Sequence, residues 1–462
     1  MMTRDQALPP IMLLPAEILL MIFYWASRRR VKHSRFALMT TRENEEARNS
    51  WYTAATSQQL AFVCGRWRDV LAMREVYWKS LNITIDGETF ISSIIKTFFA
   101  ASRDNTIRVT VAPRDLTSRS LTPDEEQERL VLIMKHMAPH LGRLFRLNIH
   151  TFYRSTVVNI SRFFNAAVMS KLSELRLVSQ DTDDTAHLNC SALQFPRIRS
   201  LHTDARSFVD LMKAGVATSE LLTSSDDYDF FNFSITKFRP KEASSAPTAT
   251  ELFEALRLVD AQRHLNLEIH DIALACEDYV PQRPLLANLY SLEVYDLEGP
   301  AFSAICNSLD SHDVDGASVV RCEAERCGFI FCGELHVAGV RSSCSLLRMV
   351  QDWEGIKLII EDCEGFDDWF LGSLAFCSER HSQRFACPEL ACLEITGCTF
   401  SASALQRMCE MRLQFWRTGG ADEDEFDHLT SVGVSDGPKL DEGLRHWFEE
   451  NLETFTWEEK QM

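Results

Sequence analysis

Short runs in which an aliphatic residue is followed by two residues, a leucine, one residue and a second aliphatic residue recur along most of the chain. They stand at Leu144-x-x-Leu147-x-Ile149, Leu172-x-x-Leu175-x-Leu177, Ile198-x-x-Leu201, Leu289-x-x-Leu292-x-Val294, Cys332-x-x-Leu335-x-Val337 and Leu390-x-x-Leu393-x-Ile395. Alternation with a period of two predicts strands whose aliphatic side chains share one face. Between the runs, apolar residues recur at helical spacing over 90–101, 126–137, 157–169, 251–261, 302–309, 346–353 and 405–415. Strand and helix alternating this often predict an α/β fold with parallel strands on one face, helices on the other and right-handed crossovers between them. Strand centres are expected at Ile83, Val109, Leu147, Leu175, Leu201, Ile235, Leu267, Leu292, Leu335, Leu358, Leu393 and Val432, at intervals of 26, 38, 28, 26, 34, 32, 25, 43, 23, 35 and 39 residues. Three polar, turn-rich stretches at 219–229, 240–247 and 419–425 read as surface loops.

The beginning of the chain follows another pattern. Leu14 precedes Pro15, whose fixed φ suits a first helical position, and Ile18, Leu19, Ile22 and Phe23 then share a helix face. Leu60, Val63, Cys64, Trp67, Val70 and Leu71 repeat at three and four, and Tyr77-Trp78 follows before Leu81. The order Leu-Pro-x-Glu-Ile-Leu-x-x-Ile-Phe, then Val63-Cys64-x-x-Trp67-Arg68-x-Val70, then Trp78-x-x-Leu81 resembles the F-box motif over residues 13–81. The stretch between Phe23 and Leu60, with its basic run at 28–35, makes the segment longer than most F-boxes. The resemblance implies a helical module docked on a Skp-type adaptor of a cullin ubiquitin ligase. Leu14, Pro15, Ile18, Leu19, Ile22, Cys64, Trp67, Val70 and Trp78 would then carry the adaptor interface. The alternative is a helical cap that hides the open end of the repeat array and recruits nothing.

From Leu390 to Phe400 the repeat resembles the leucine-rich-repeat consensus through its cysteine position, Cys398, and Leu358-x-Ile360-x-x-Cys363 has the same ending. Only five of the eleven intervals fall in the roughly 20 to 29 residues of a regular repeat. The array is thus expected to be an irregular leucine-rich-repeat solenoid over 83–462 behind an F-box-like module over 1–82. It resembles the divergent repeat domains of large fungal, basidiomycete-type F-box families.

Charge sharpens this division. The net charge is −18, yet residues 1–80 hold twelve Lys or Arg against seven Asp or Glu, so that part is +5 and the remainder is −23. An acidic array disfavours nucleic-acid or lipid binding and fits protein partners. Hydrophobic content of 45% excludes a mostly disordered chain. The first residues lead to no secretory h-region, and the apolar run over 11–26 is interrupted by Pro15 and Glu17. The expected setting is therefore reducing cytoplasm or nucleus, where the fourteen cysteines are thiols. The basic run reads as a solvated helix end, or as a nuclear-import signal.

Residues between the aliphatic positions should face outward, among them Arg146, Asn148, Glu174, Arg176, Ser200, His202 and Thr396. A target-binding surface is expected at Glu268, Glu293, His336, Glu361 and Glu394. Catalysis has no anchor: phosphate loops, dinucleotide turns, nucleophile elbows and the His-Glu-x-x-His pair are missing from the sequence, and no cofactor is expected. Cys322, Cys327 and Cys332, with His312 and His336, lack the tight pair of a zinc knuckle, so no metal is expected there. Asp313-Val314-Asp315-Gly316 fails as a calcium loop, because placing Gly316 sixth puts Ser311 first and Cys322 twelfth.

Overall fold

The computed structural model describes residues 10–29, 60–61, 63–87, 91–115, 117–216, 230–258, 264–276, 289–308, 314–325, 332–375, 377–378, 384–417 and 429–460. The basic run from residue 30 on and the expected loops at 219–229 and 419–425 lie outside them. The chain divides into two compact units, Met1–Ile198 with Ala214–Val216, and Arg199–Lys213 with Ala217–Met462.

The first unit opens with helices α1 (Ala16–Arg29) and α2 (Gly65–Ala72). Strand β1 (Ser80–Thr84), helix α3 (Ile91–Ala101), β2 (Ile107–Ala112), α4 (Pro123–Met137), β3 (Leu144–Tyr153), α5 (Arg154–Ile160) and β4 (Glu174–Asp181) follow. Its strands pair in parallel in sequence order, with Leu81, Val109, Leu147 and Leu175 in register and buried.

The second unit runs through β5 (Ser200–Asp204), α6 (Ala205–Leu211), β6 (Phe231–Thr236), α7 (Ala249–Arg257), β7 (Leu265–His270), β8 (Leu289–Tyr295), α8 (Gly299–Cys306), β9 (Val314–Val320) and β10 (Cys332–Ala338). It continues with α9 (Ser343–Val350), β11 (Lys357–Glu361), α10 (Asp368–Leu374) and the two-residue strands β12 (Cys377–Ser378) and β13 (Arg384–Phe385), which form a small antiparallel pair. Last come β14 (Cys392–Thr396), α11 (Ala402–Arg417), β15 (Ser431–Gly437), α12 (Glu442–Asn451) and β16 (Thr454–Glu459). Apart from β12 and β13, its strands pair in sequence order and in parallel. Leu201, Phe233, Leu267, Leu292, Ala317, Leu335, Leu358, Leu393, Val432 and Phe455 form one row across them.

The α/β reading with parallel strands therefore holds, and all twelve expected strand centres fall inside strands. Four further strands were not expected: β9 and β16 among the parallel strands, and the short antiparallel pair β12 and β13. β9 carries Ala317 where its neighbours carry leucine, and it divides the 43-residue interval between Leu292 and Leu335 into 25 and 18. Register-equivalent residues lie as close as 18 (Ala317 to Leu335) and as far apart as 39 (Leu393 to Val432). The sheet is thus not a typical leucine-rich-repeat solenoid, because its crossovers differ too much in length for one repeated turn.

A backbone device recurs at the strand ends of the second unit. Asp271, Asp296, Arg321, Gly339, Asp362, Gly397 and Asp436 all adopt positive φ, between 48° and 67°. Through the first six, the turn N–H donates to a carbonyl at or near the end of the next strand, as Asp271 does to Tyr295 and Gly397 to Ser435. Asp and Gly tolerate this left-handed conformation best, which explains their presence at six of the seven positions. A buried residue follows directly: Ile272, Leu297, Cys322, Val340, Cys363 or Cys398.

The helices begin with polar caps that the apolar period does not register. Thr122 with Glu125, and Thr248 with Glu251, form capping boxes at α4 and α7, while Ser342, Asp367 and Asp441 cap α9, α10 and α12. The helix expected over 157–169 instead ends at Ile160, continues as a 3₁₀ turn to Phe164 and breaks at Ala166, whose φ is 54°. No helix among the described residues is long and apolar enough to cross a membrane.

Candidate functional site

Two surfaces collect the residues nominated from the sequence. In the first unit, α1 has two apolar stripes. Leu19 and Phe23 are fully buried, and the Phe23 ring meets Trp67 of α2 at 4.9 Å between centroids. The opposite stripe, Ile18, Ile22 and Trp25, is exposed at 38, 39 and 56%, with Met21 beside it at 52%. Arg66 ties the start of α1 to α2 by donating to the Leu14 carbonyl at 2.7 Å, and the Tyr77 hydroxyl donates to the Leu20 carbonyl at 3.2 Å.

This arrangement separates the nine nominated residues. Leu19, Val70 and Trp78 are buried within the unit itself. They hold the helices together and are not open to a partner in this arrangement. Pro15, Ile18 and Ile22 are exposed, while Leu14, Cys64 and Trp67 are half-buried. Exposed Trp25, Met21, Val63, Met73 and Val76 were not nominated. Their signal in the sequence was an apolar helix with too many apolar residues for a single buried stripe. The expected boundary at 82/83 falls inside β1, and no separate core ends there: the Trp78 ring packs on Phe98 of α3 at 5.8 Å, and its indole N–H donates to the Leu71 carbonyl at 2.9 Å.

The second surface is the outward face of the sheet in the second unit. Strand register places Glu268, Glu293, Ser318, His336, Ile359 and Glu394 side by side in one row, on β7, β8, β9, β10, β11 and β14. Four of the five nominated target-binding residues thus share one row across strands about 4.8 Å apart, with Glu268 and Glu293 on adjacent strands. The fifth, Glu361, lies two residues further along β11 on the same face.

These side chains interact. The His270 ring bonds to Glu268 at 2.6 Å and stacks on Tyr295 at 4.1 Å with 4° between planes. Tyr295 donates its hydroxyl to Glu293 at 2.7 Å, which together with burial raises its pKa. His336 bonds to Ser318 and Glu361, both at 3.1 Å, and Lys357 lies 3.2 Å from Glu394 and 3.7 Å from Glu334. The hydrogen bond from His270 holds the Glu268 carboxyl below the usual carboxylate range. Sequence reading missed Ser318 because β9 was missed, and it did not nominate Tyr295, His270 or Lys357, although it named Glu361 and Thr396 at the same distance past their central leucines as His270 and Tyr295.

In the first unit the outward residues are less open than expected. Asn148 is 7% exposed and Glu174 8%, the latter closed between Arg146 at 2.5 Å and Arg176 at 3.0 Å.

Three buried thiols repeat along the second unit. Cys322, Cys363 and Cys398 occupy equivalent places after the strand-end turns, and their Sγ atoms lie 3.4 Å from the carbonyls of Val320, Glu361 and Thr396. Burial pushes the thiols of Cys322 and Cys398 up to about 12 and that of Cys363 to about 11. Cys327 and His312 lie outside the described residues, among which no group of three or more His, Cys, Asp or Glu is placed to hold a metal ion. A cleft at the ends of β9 and β10 is lined by three arginines, Arg321, Arg341 and Arg348, and three carboxylates, Asp296, Glu323 and Glu325. Arg321 is locked to Asp296 by two contacts of 2.7 Å.

No protein-family model matches the chain, and no curated protein matches it.

Proposed function

We propose that the protein is a substrate-receptor subunit of a Skp-cullin-F-box type ubiquitin ligase in the cytoplasm or nucleus. Its N-terminal helices would dock on a Skp-type adaptor, and through it on a cullin scaffold. The outward row of the second unit, in a divergent leucine-rich-repeat-like array, would hold the target protein. Other subunits would perform the ubiquitin transfer.

The observation that carries this reading is the doubled apolar character of α1. Leu19 and Phe23 are the buried apolar residues of this helix, while Ile18, Ile22 and Trp25 stay largely open to solvent. A solvent-facing apolar stripe of this kind marks a protein interface. Its place within an F-box-like order of residues points to the adaptor. The test is a pull-down of a Skp-type adaptor by the full chain, alongside an Ile18→Asp, Ile22→Asp variant. Capture by the parent chain and its loss in the variant support the assignment; no capture by either overturns it.

One observation favours the second reading, a repeat scaffold whose N-terminal helices act as a cap. Trp78 packs on Phe98, so the helical segment shares packing with the first strand-helix turn. A chain that binds no adaptor and loses stability on Trp78→Ala would fit that reading.

A further inference from the structure

The outward face carries three imidazoles, His202, His270 and His336, of which His270 and His336 are each bonded to a glutamate. We propose that this face is a pH-sensitive binding surface, on which protonation of His270 and His336 weakens the hold on a cationic target. The inference rests on the reading of the row as the target-binding surface.

The groups around each ring define the competition. His270 faces Glu268 on its own strand and, from β8, the stacked Tyr295 with Glu293 behind it. Asp296 in the following turn acts on it electrostatically, and Arg239 and Arg321 hold that turn. On the β6 side Ser234 lies opposite Glu268 and is uncharged, and beyond it the titratable ring of His202 on β5 also acts on Glu268. His336 has Glu334 on its own strand, Ser318 from β9, and Glu361 and Lys357 from β11.

With neutral imidazoles the face presents five carboxylates, Glu268, Glu293, Glu334, Glu361 and Glu394, against the single ammonium of Lys357, a sum of −4. Protonating His270 and His336 halves this to −2. Each ring already donates from Nε2 to its glutamate, so the added proton goes to Nδ1 and its positive charge opposes a lysine or arginine held by the same carboxylate. Two added charges about 6 Å from a bound cation each cost about threefold in affinity in a water-like medium, about tenfold together.

The experiment uses the full chain and a fluorescein-labelled oligolysine peptide, with anisotropy titrations at about pH 7.5 and about pH 5.5 at fixed low salt. The parent chain should lose about tenfold in affinity at the lower pH, and a His270→Gln, His336→Gln variant should keep most of its affinity there. An equal loss in both overturns the switch while leaving the binding surface standing. A Glu293→Lys, Glu394→Lys variant should bind the peptide poorly at either pH. Undiminished binding by that variant, or no binding by the parent chain, overturns the target-face reading and the switch with it.

Discussion

Trp353 leaves no room for a side chain on Gly355. A Cβ there would run into the Cε2 and Cζ2 atoms of the indole and into the carbonyl oxygen of Cys332. The same indole donates its N–H to that carbonyl at 3.0 Å and is 1% exposed, so neither neighbour can retreat. Gly355 is thus the point where the end of α9 folds back onto the sheet and turns into β11.

Gly355→Ala should therefore destabilise the chain by about 1 to 3 kcal/mol, the usual range for overpacking a filled site. Gly372→Ala is the control, since nothing lies within 4 Å of the added Cβ. Urea titrations of the two variants should separate clearly, and similar midpoints would contradict the packing at Trp353.

Leu393 and Glu394 test the strand register directly. Leu393 is fully buried in the row with Leu358 and Val432, whereas the Glu394 side chain is 45% exposed beside Lys357. Leu393→Ala should cost about 2 to 5 kcal/mol. Glu394→Ala removes only an exposed ion pair and should cost below about 1 kcal/mol. Equal costs in urea titration would mean the strand is shifted by one residue.

His150 on β3 should make the first unit acid-sensitive. Burial, with Arg176 adding to it, pushes its pKa down to about 4. A depressed histidine binds its proton more readily when unfolded, so its contribution is complete above the unfolded value near 6.5 and is lost as pH falls toward 4. The full loss amounts to about 3 kcal/mol. Thermal unfolding of a His150→Gln variant across this window should show a shallower decline than the parent chain; parallel declines would refute the role of His150.

Buried thiols should resist alkylation while the fold is intact. Cys387 and Cys409, each pushed up to about 12 by burial, and Cys322, Cys363 and Cys398 should stay unmodified by iodoacetamide at mildly alkaline pH. Exposed Cys344 should react first. Peptide mass spectrometry reads the order, and early labelling of Cys363 or Cys398 would show that the strand-end turns are open.

How legible all this was depended on what each position buries. The strands were found because Leu147 and Leu175 in the first unit, and Leu292, Leu335 and Leu393 in the second, stand in buried rows, and a leucine with alternating neighbours is a strong period-two signal. β9 was hidden because Ala317 takes the leucine position and Asp313-Val314-Asp315-Gly316 reads as a turn. Helix starts were read two or three residues late at α4, α7, α8, α9 and α11, since these helices open on polar or small residues and not on a large apolar side chain that marks the helical period. α6 was missed because all seven of its residues are buried, which erases any amphipathic period. The outward row could be nominated residue by residue, but its alignment could not, because crossovers of unequal length carry no register. Only the paired backbones bring Glu268, Glu293, His336 and Glu394 into line.

The two stripes of α1 allow docking and folding to be told apart within one helix. Ile18 is 38% exposed and Leu19 is fully buried, although they are adjacent in sequence. Ile18→Asp places a charge where solvent already reaches, so stability should change by no more than about 0.5 kcal/mol. Leu19→Ala empties a packed site beneath Phe23 and should cost about 2 to 5 kcal/mol. If α1 is the adaptor contact, Ile18→Asp should abolish capture of a Skp-type adaptor with its melting curve unmoved. Leu19→Ala should weaken capture only in proportion to the chain it unfolds. Retained capture by Ile18→Asp and by the Ile18→Asp, Ile22→Asp pair would remove this stripe from the interface and leave α1 as a cap.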